Sequence, residues 1–489
     1  MINLFISGHS YQHDLYELIR VFLPEEEIVF IESKGEYKGQ GYLLESILYE
    51  DKTASKAISK ITEKDETLYS DIVNISSISI KDYTCKQILK LGIKISIYNL
   101  LSKMTETTVP WGILTGIRPN KIMHNLIDIG YAKEKAIEIL VEDYKIQKSK
   151  AKLLSEICNV QRKHLYPIHK DKYSLYISIP FCPSICSYCS FSSLGINKYK
   201  DIIEIYINSL IYEIEETSKL MKDKKLNTVY IGGGTPTSIS ILYLNSVIEA
   251  IYKNFGESMI EFTVEAGRPD TINKEVLSML RENKINRISI NPQTMEDSTL
   301  KRIGRMHSSK DIIDSYYLAR QFGFSVINMD LIIGLPGEGI REIKRTLNEI
   351  IKLDPENLTI HSLSLKKGSS YKENIGAINH INNFQADNIV NEIYQSLKIM
   401  NLHPYYLYRQ KQITGKLENI GYSKEGMECI YNISMMEEKE TIIGLGMGAV
   451  SKIYSVDNNR ITRVPNFKGI NDYINRIDEL IKNKKEVLL

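Results

Sequence analysis

The sequence predicts an α/β protein built on a partial (β/α)6 barrel, with an N-terminal α+β domain and a C-terminal extension. Two observations carry this. From Leu175 onward, six short β-rich apolar runs alternate with six longer segments of helical period, the signature of parallel strands joined by right-handed crossovers. Six such units are too few for the closed eight-fold barrel and suit an open, partial one. On either side of that stretch the alternation stops. The boundaries expected from this pattern are residues 1–165, 173–402 and 403–489.

In chain order, strands are expected at Met1–Ser7 and Glu27–Glu32, followed by mixed and helical segments. The stretch VPWGILTGIRPNKIM carries Trp111, the only tryptophan, and His164–Lys172 reads as a linker. The barrel strands are expected at Leu175–Ile179, Thr228–Ile231, Ile260–Val264, Arg287–Ile290, Val326–Ile332 and Asn357–His361. The helices between and after them are expected at Ile202–Met221, Leu242–Lys253, Lys274–Glu282, Ile312–Gln321, Ile340–Ile351 and Ala386–Met400. Past Met400 a Tyr-rich stretch begins, and the basic end Lys482–Lys485 reads as a solvated helix terminus. There is no internal repeat and no low-complexity tail.

Composition narrows the function classes. The 489 residues are 43% hydrophobic and 25% charged, ordinary for a globular protein with a large core. Sixty-two basic against 60 acidic residues leave a net charge of +2, so there is no polybasic footprint for nucleic acid. No run approaches the length of a membrane span, and the first residues lack the n- and h-regions of a signal peptide. A cytoplasmic location is expected.

Three of the six cysteines, Cys182, Cys186 and Cys189, fall within eight residues in the spacing C-x3-C-x2-C. Such clustering points to metal or redox chemistry. A structural zinc site would be one ligand short, and an ordinary four-iron cluster takes four cysteines. Three cysteines on one loop leave one iron open to a small chelating molecule. The loop also follows the first barrel strand, at the carboxyl end where active sites of parallel α/β folds gather.

With an aromatic, Tyr188, before its third cysteine, this motif resembles the radical S-adenosylmethionine (SAM) enzymes. The resemblance implies a [4Fe-4S] cluster whose open iron is chelated by SAM, and reductive cleavage of SAM to a 5′-deoxyadenosyl radical. Ile231-Gly232-Gly233-Gly234-Thr235-Pro236-Thr237 resembles the family's GGGTPT element beside the SAM amino group, naming Gly233, Gly234 and Thr235. By itself a triple glycine reads only as a tight turn. Glu265 ends the third strand, placed for an ammonium or a ribose hydroxyl, and Gln293 follows the fourth. Asp330 lies in the fifth, where a carboxylate suits ribose hydroxyls. Arg305 suits the SAM carboxylate.

YISIPFCPSICSYCSF, YIGGGTPT, RISINPQTM, LKRIGRMHS and MDLIIGLPGE together resemble the oxygen-independent coproporphyrinogen III oxidase (coproporphyrinogen dehydrogenase) family over about Tyr173 to Lys411. Tyr176 takes the place of a tyrosine near cluster and SAM. The N-terminal WGILTGIRPNK and the later YYLYRQKQITGKLENIGYS resemble its HemZ-type branch. The resemblance implies oxidative decarboxylation of coproporphyrinogen III to protoporphyrinogen IX in haem biosynthesis. The radical would take a propionate β-hydrogen, and loss of CO2 and one electron would leave a vinyl group at two of four propionates. An external electron donor and acceptor are implied. There are departures. The biosynthetic enzymes carry a cysteine directly after the third ligand, where this chain has Ser190-Phe191. That is closer to the haem-chaperone branch, yet the chaperones' HNxxYW element is missing, its nearest counterpart being Cys429-Ile-Tyr431-Asn432. A haem carrier and an anaerobic haem-modifying enzyme therefore stay open.

For the tetrapyrrole, Tyr405, Tyr406, Tyr408, Arg409 and Lys411 offer flat walls and cations, or equally an aromatic core strand flanked by surface charge. On a strand, Tyr406 and Tyr408 share one face, with Arg409 on the other. Arg118 reads as a propionate contact or a helix cap. His361, ahead of His307 and His403, is the axial-ligand candidate. Cys85, Cys158 and Cys429 read as buried small hydrophobes. Gly444-Leu-Gly446-Met-Gly448 resembles a dinucleotide fingerprint, but no strand–turn–helix unit with a downstream acid follows, so a Rossmann reading is declined.

Overall fold

The computed structural model describes residues 1–50, 55–364, 383–410 and 418–488, and the chain divides into two units, Met1–Cys158 and Asn159–Leu489. The first unit is an α+β domain. Its sheet has the order β2-β1-β3-β4-β5, from β1 (Ile2–Ser7), β2 (Ile28–Ile31), β3 (Tyr42–Glu50), β4 (Ser55–Glu63) and β5 (Glu66–Asn74). β1 pairs parallel with β2 and β3, while β3, β4 and β5 form an antiparallel meander. The crossover helix Gln12–Phe22 buries Leu15, Leu18, Ile19 and Phe22 on one face, the 3–4 spacing of an amphipathic helix. The meander went unread in sequence because β5 is a mostly exposed edge strand without an apolar alternation.

The second unit holds an eleven-stranded sheet. Its strands are β6 (Lys172–Ile179), β9 (Lys225–Gly233), β10 (Glu261–Glu265), β11 (Arg287–Ser289), β12 (Val326–Ile333) and β13 (Asn357–Ser362), lying side by side in chain order and all parallel. A short pair, β7 (Phe181–Cys182) and β8 (Leu194–Gly195), brackets the cysteine loop. Between and after the strands run helices Ile203–Leu220, Ile241–Phe255, Lys274–Glu282, Ser309–Gln321, Ile340–Leu353 and Asn383–Ile399. Strand and helix positions therefore agree with those expected to within a few residues. The strands read as continuous apolar runs because both faces are covered: Leu331, Ile332 and Ile333, successive residues that alternate between the faces of β12, are all buried. Two of these helices start on side-chain caps, with Asn273 accepting from the Val276 amide at 2.8 Å and Ser308 and Asp311 closing a capping box.

The sheet stays open. At one edge β15 (Asn419–Ser423) adds antiparallel to β13, and β14 (His403–Tyr408) antiparallel to β15; at the other, β16 (Thr441–Leu445) pairs parallel with β6 and leads into the hairpin β17 (Val450–Ser455) and β18 (Arg460–Pro465). The C-terminal extension thus supplies both edges of the barrel sheet. The GLGMG stretch ends β16. Gly446, at φ +92°, sits where a Cβ would lie 2.4 Å from the Ser178 carbonyl oxygen, and no dinucleotide unit follows it.

One surface expectation is overturned. Lys484, read as part of a solvated terminus, is fully buried in the helix Ile477–Leu488. Its ammonium pairs with Glu213 and donates to the Gly444 carbonyl at 2.7 Å. Glu213 also accepts from the Gly446 amide at 2.7 Å, Tyr473 at 2.7 Å and Asn466 at 2.9 Å. A buried charge needs such partners, and none of them is near Lys484 in sequence.

Candidate functional site

A cavity of about 510 Å3 opens at the carboxyl ends of the barrel strands. All eleven residues expected at the site line it: Tyr176, Cys182, Cys186, Cys189, Gly233, Gly234, Thr235, Glu265, Gln293, Arg305 and Asp330.

The glycines work by close approach. Gly234 donates its amide to the Ile179 carbonyl at 2.8 Å, and a Cβ on it would stand 2.6 Å from the Phe181 oxygen. Gly233 has φ +107°, and a Cβ there would meet the Ser178 hydroxyl at 2.8 Å. The turn therefore packs directly onto the strand that begins the cysteine loop. It delivers Thr235, whose hydroxyl donates to Cys182 Sγ at 3.6 Å.

Burial pushes the Cys182 and Cys189 thiols up, and their neighbouring thiols add to this. Buried thiols that crowd each other favour a cationic guest. Among the described residues no group of three His, Cys, Asp or Glu side chains is set to hold one metal ion. Beside the loop, Arg305 is fully enclosed. It donates to the Asn291 carbonyl and, at 3.2 Å, to the Tyr188 hydroxyl, while its Nε has no partner. Asn291 Oδ1 and Gln293 Oε1 are also buried without partners. Open polar atoms on a buried wall call for a polar guest, and these fit the amino acid and ribose parts of SAM. Gln293 holds φ +67°, with its backbone tied to Asp330 and Ile332 at 2.8 and 2.9 Å. Such strain is retained where surroundings enforce it.

Glu265 accepts from the Tyr230 hydroxyl at 2.6 Å. Burial, with Asp330 nearby, pushes its carboxyl up to about 7, although the Tyr230 bond opposes this. Burial also acts on Asp330, but His361, Asn328 and Thr359 outweigh it and hold that carboxyl below its usual value. Asn328 Nδ2 donates to Asp330 at 2.9 Å. His361 Nε2 lies 3.9 Å from Asp330, and Nδ1 lies 3.0 Å from the Tyr408 hydroxyl. The axial-ligand candidate thus lines the cavity with both ring nitrogens facing wall residues.

Across the cavity, Tyr406 and Tyr408 line the wall as expected for one strand face. Gly421 makes room: a Cβ on it would sit 1.8 Å from the Tyr406 ring. Tyr405 turns away into a small core with Tyr431 and Cys429. Arg409 is not in the lining, and burial holds it down at about 10; Lys411 lies outside the described residues. Arg118 belongs to the first unit, in the turn before the helix Asn120–Asp128, where its carbonyl accepts from the Lys121 amide at 3.4 Å. His307 is buried outside the lining, and His403 is exposed. Cys158 and Cys429 are buried, as read. Cys85 is exposed, correcting the expectation; it opens the helix Cys85–Thr105, whose first turn faces solvent.

Several wall residues were not foreseen. Tyr230 neighbours Tyr176 in register and stacks on it at 6.4 Å, and Tyr431 completes a stack 4.5 Å from Tyr230. Tyr230 was findable, two residues before the glycines and so on the face of Gly232. Met436 was not, and Asn432 was singled out only within the nearest counterpart of HNxxYW; Tyr431 stacks behind the lining. Their helix, Ile430–Glu437, is seated by Glu261, which accepts from the Ile430 and Tyr431 amides at 2.8 and 3.1 Å.

Residues 176–350 match the model of the Radical SAM superfamily. The chain is 43% identical over 396 residues to the oxygen-independent coproporphyrinogen-III oxidase-like protein HemZ of Bacillus subtilis, covering 80% of this chain and 79% of that one. It is 32% identical to the heme chaperone HemW of Bacillus subtilis, over 63% of this chain and 76% of that one. Among solved structures, coproporphyrinogen III oxidase (HemN) from Escherichia coli superposes with a TM-score of 0.53 at 21% identity, covering 66% of this chain and 72% of that chain. That likeness speaks for the fold.

Proposed function

Because the chain belongs to the radical SAM family of oxygen-independent coproporphyrinogen-III oxidase-like proteins, whose members use a [4Fe-4S] cluster and SAM, we propose that it is an enzyme that oxidatively decarboxylates coproporphyrinogen III to protoporphyrinogen IX. The observation that carries the reading is the convergence of all eleven expected residues on one cavity. Cluster and SAM, when bound, supply one-electron cleavage to a 5′-deoxyadenosyl radical. Cys182, Cys186 and Cys189 hold the cluster. Arg305, Gln293, Asn291, Glu265 and Asp330 present the polar atoms that orient SAM, with Tyr176 alongside. Tyr406 and Tyr408 form a flat wall suited to a macrocycle. The electron donor and acceptor are external. Among the described residues no helix is long and apolar enough to cross a membrane.

A second reading, a haem carrier, is favoured by Ser190-Phe191 in place of a cysteine after Cys189 and by the chaperone relatives. Anaerobic turnover separates the two. Cluster-loaded protein is given SAM, reductant, an electron acceptor and coproporphyrinogen III, and products are followed by mass spectrometry. Deoxyadenosine with loss of two CO2 per porphyrinogen is the expected result. Deoxyadenosine without decarboxylation redirects the assignment to haem modification, and an intact cluster without deoxyadenosine selects the carrier.

A further inference from the structure

The cysteine loop is gripped at its midpoint by an arginine to which the SAM site gives no task. Arg268 follows β10 in the turn Gly267-Arg268-Pro269-Asp270, and its side chain is 4% exposed. Its Nη1 donates to the Ser184 carbonyl at 3.1 Å and to the Ser184 hydroxyl at 2.8 Å. Ser184 is the central residue between Cys182 and Cys186, and its hydroxyl donates onward to the Gly304 carbonyl at 2.9 Å. The other edge of the guanidinium, Nε and Nη2, is held by both Asp270 oxygens at 3.0 and 2.9 Å. Behind Asp270, His307 Nδ1 stands 3.6 Å away. Arg268 lines the same cavity as the three cysteines.

We propose that Arg268 is a positioning residue for the iron–sulfur cluster, fixing the spacing of the Cys182–Cys186 loop and raising the cluster's reduction potential, with Asp270 as the opposing charge. This rests on the cluster assignment made above, and not on the identity of the tetrapyrrole. Reduction adds one electron to the cluster, so a fixed cation beside it favours the reduced state. In a buried wall that attraction is weakly screened. The planar fork spans Ser184 and Asp270 at once, which an ammonium cannot do. Partners behind metal ligands commonly matter about 10–100-fold in affinity.

The test uses the full chain without SAM or substrate. Wild type, R268Q, R268K and D270N are reconstituted anaerobically, assayed for iron and sulfide, challenged with chelator, and titrated with dithionite under EPR. R268Q is expected to lose its cluster to chelator about tenfold faster or more, and to titrate at a more negative potential. R268K is expected to keep the potential near wild type while losing chelator resistance. D270N is expected to shift the potential upward. An unchanged potential in R268Q, or a shift in D270N in the same direction as in R268Q, overturns the proposal. Should R268Q not fold, the sign of the D270N shift decides. A wild type without iron–sulfur absorbance sinks the cluster assignment and this proposal together; a wild-type cluster indifferent to the variants sinks only this proposal.

Discussion

The cavity has two walls of different chemistry. One, at the ends of β6 and β9 and along the cysteine loop, presents thiols, tightly packed glycines and two buried arginines, with Glu265 and Asp330 beside them. The other, from β13 to β15 and the helix Ile430–Glu437, presents Tyr406, Tyr408, Asn419, Asn432 and Thr359, all uncharged. His361 stands between them, reaching Asp330 on one side and Tyr408 on the other. The charged wall has partnerless buried atoms and raised thiols, so it is incomplete without a guest. On the neutral wall Tyr406 donates to Thr359 at 3.2 Å, and Asn432 donates to Tyr405 behind it at 3.3 Å. Under the proposed function, reactive chemistry and flat recognition fall on separate elements, and changes to each wall are expected to have separable effects.

The largest effect belongs to the cysteines. Replacing Cys182, Cys186 and Cys189 by Ala is expected to abolish iron–sulfur absorbance, while C85A, exposed on the first unit, leaves it intact; retained absorbance in the triple variant would refute the ligand assignment. Next comes Glu265. Its carboxyl is raised from 4.5 to about 7, so the protonated form favours folding. That contribution is complete below about 4.5 and lost as pH rises through about 7, a change of about 3 kcal/mol. In urea unfolding at pH 5 and pH 8, E265Q should remove this share of the pH dependence; an identical slope in both proteins would count against the buried-acid account. The smallest is Y408F on the neutral wall. Losing the hydroxyl bound to His361 is worth about 1 kcal/mol. Cluster absorbance and deoxyadenosine formation should persist while tetrapyrrole turnover falls by about tenfold or less. A loss of cluster in Y408F would show that the walls are not independent.

The same division marks what could be read ahead of the structure. The charged wall was legible because its residues sit in short motifs at strand ends, and a parallel strand delivers its last residues to one side of the sheet. The motif order therefore mapped directly onto positions around the cavity. The neutral wall was only half legible. Tyr406 and Tyr408 sharing a face, with Arg409 on the other, follows from strand alternation, but which face meets the cavity depended on where β14 meets β15. Arg268 was passed over because a lone arginine in a turn carries no signal until its partner loop is known.

By itself the sequence determined the six strand–helix units, the cysteine loop and the glycine turn, because hydrophobic period and local spacing act over a few residues. Tertiary structure alone decided that the C-terminal extension supplies both edges of the sheet. It decided that Lys484 is buried against Glu213 and that Tyr431 joins Tyr176 and Tyr230 in one stack. These outcomes rest on pairings between residues tens to hundreds of positions apart, and no local pattern records which distant partner will satisfy a buried charge or cover an aromatic face.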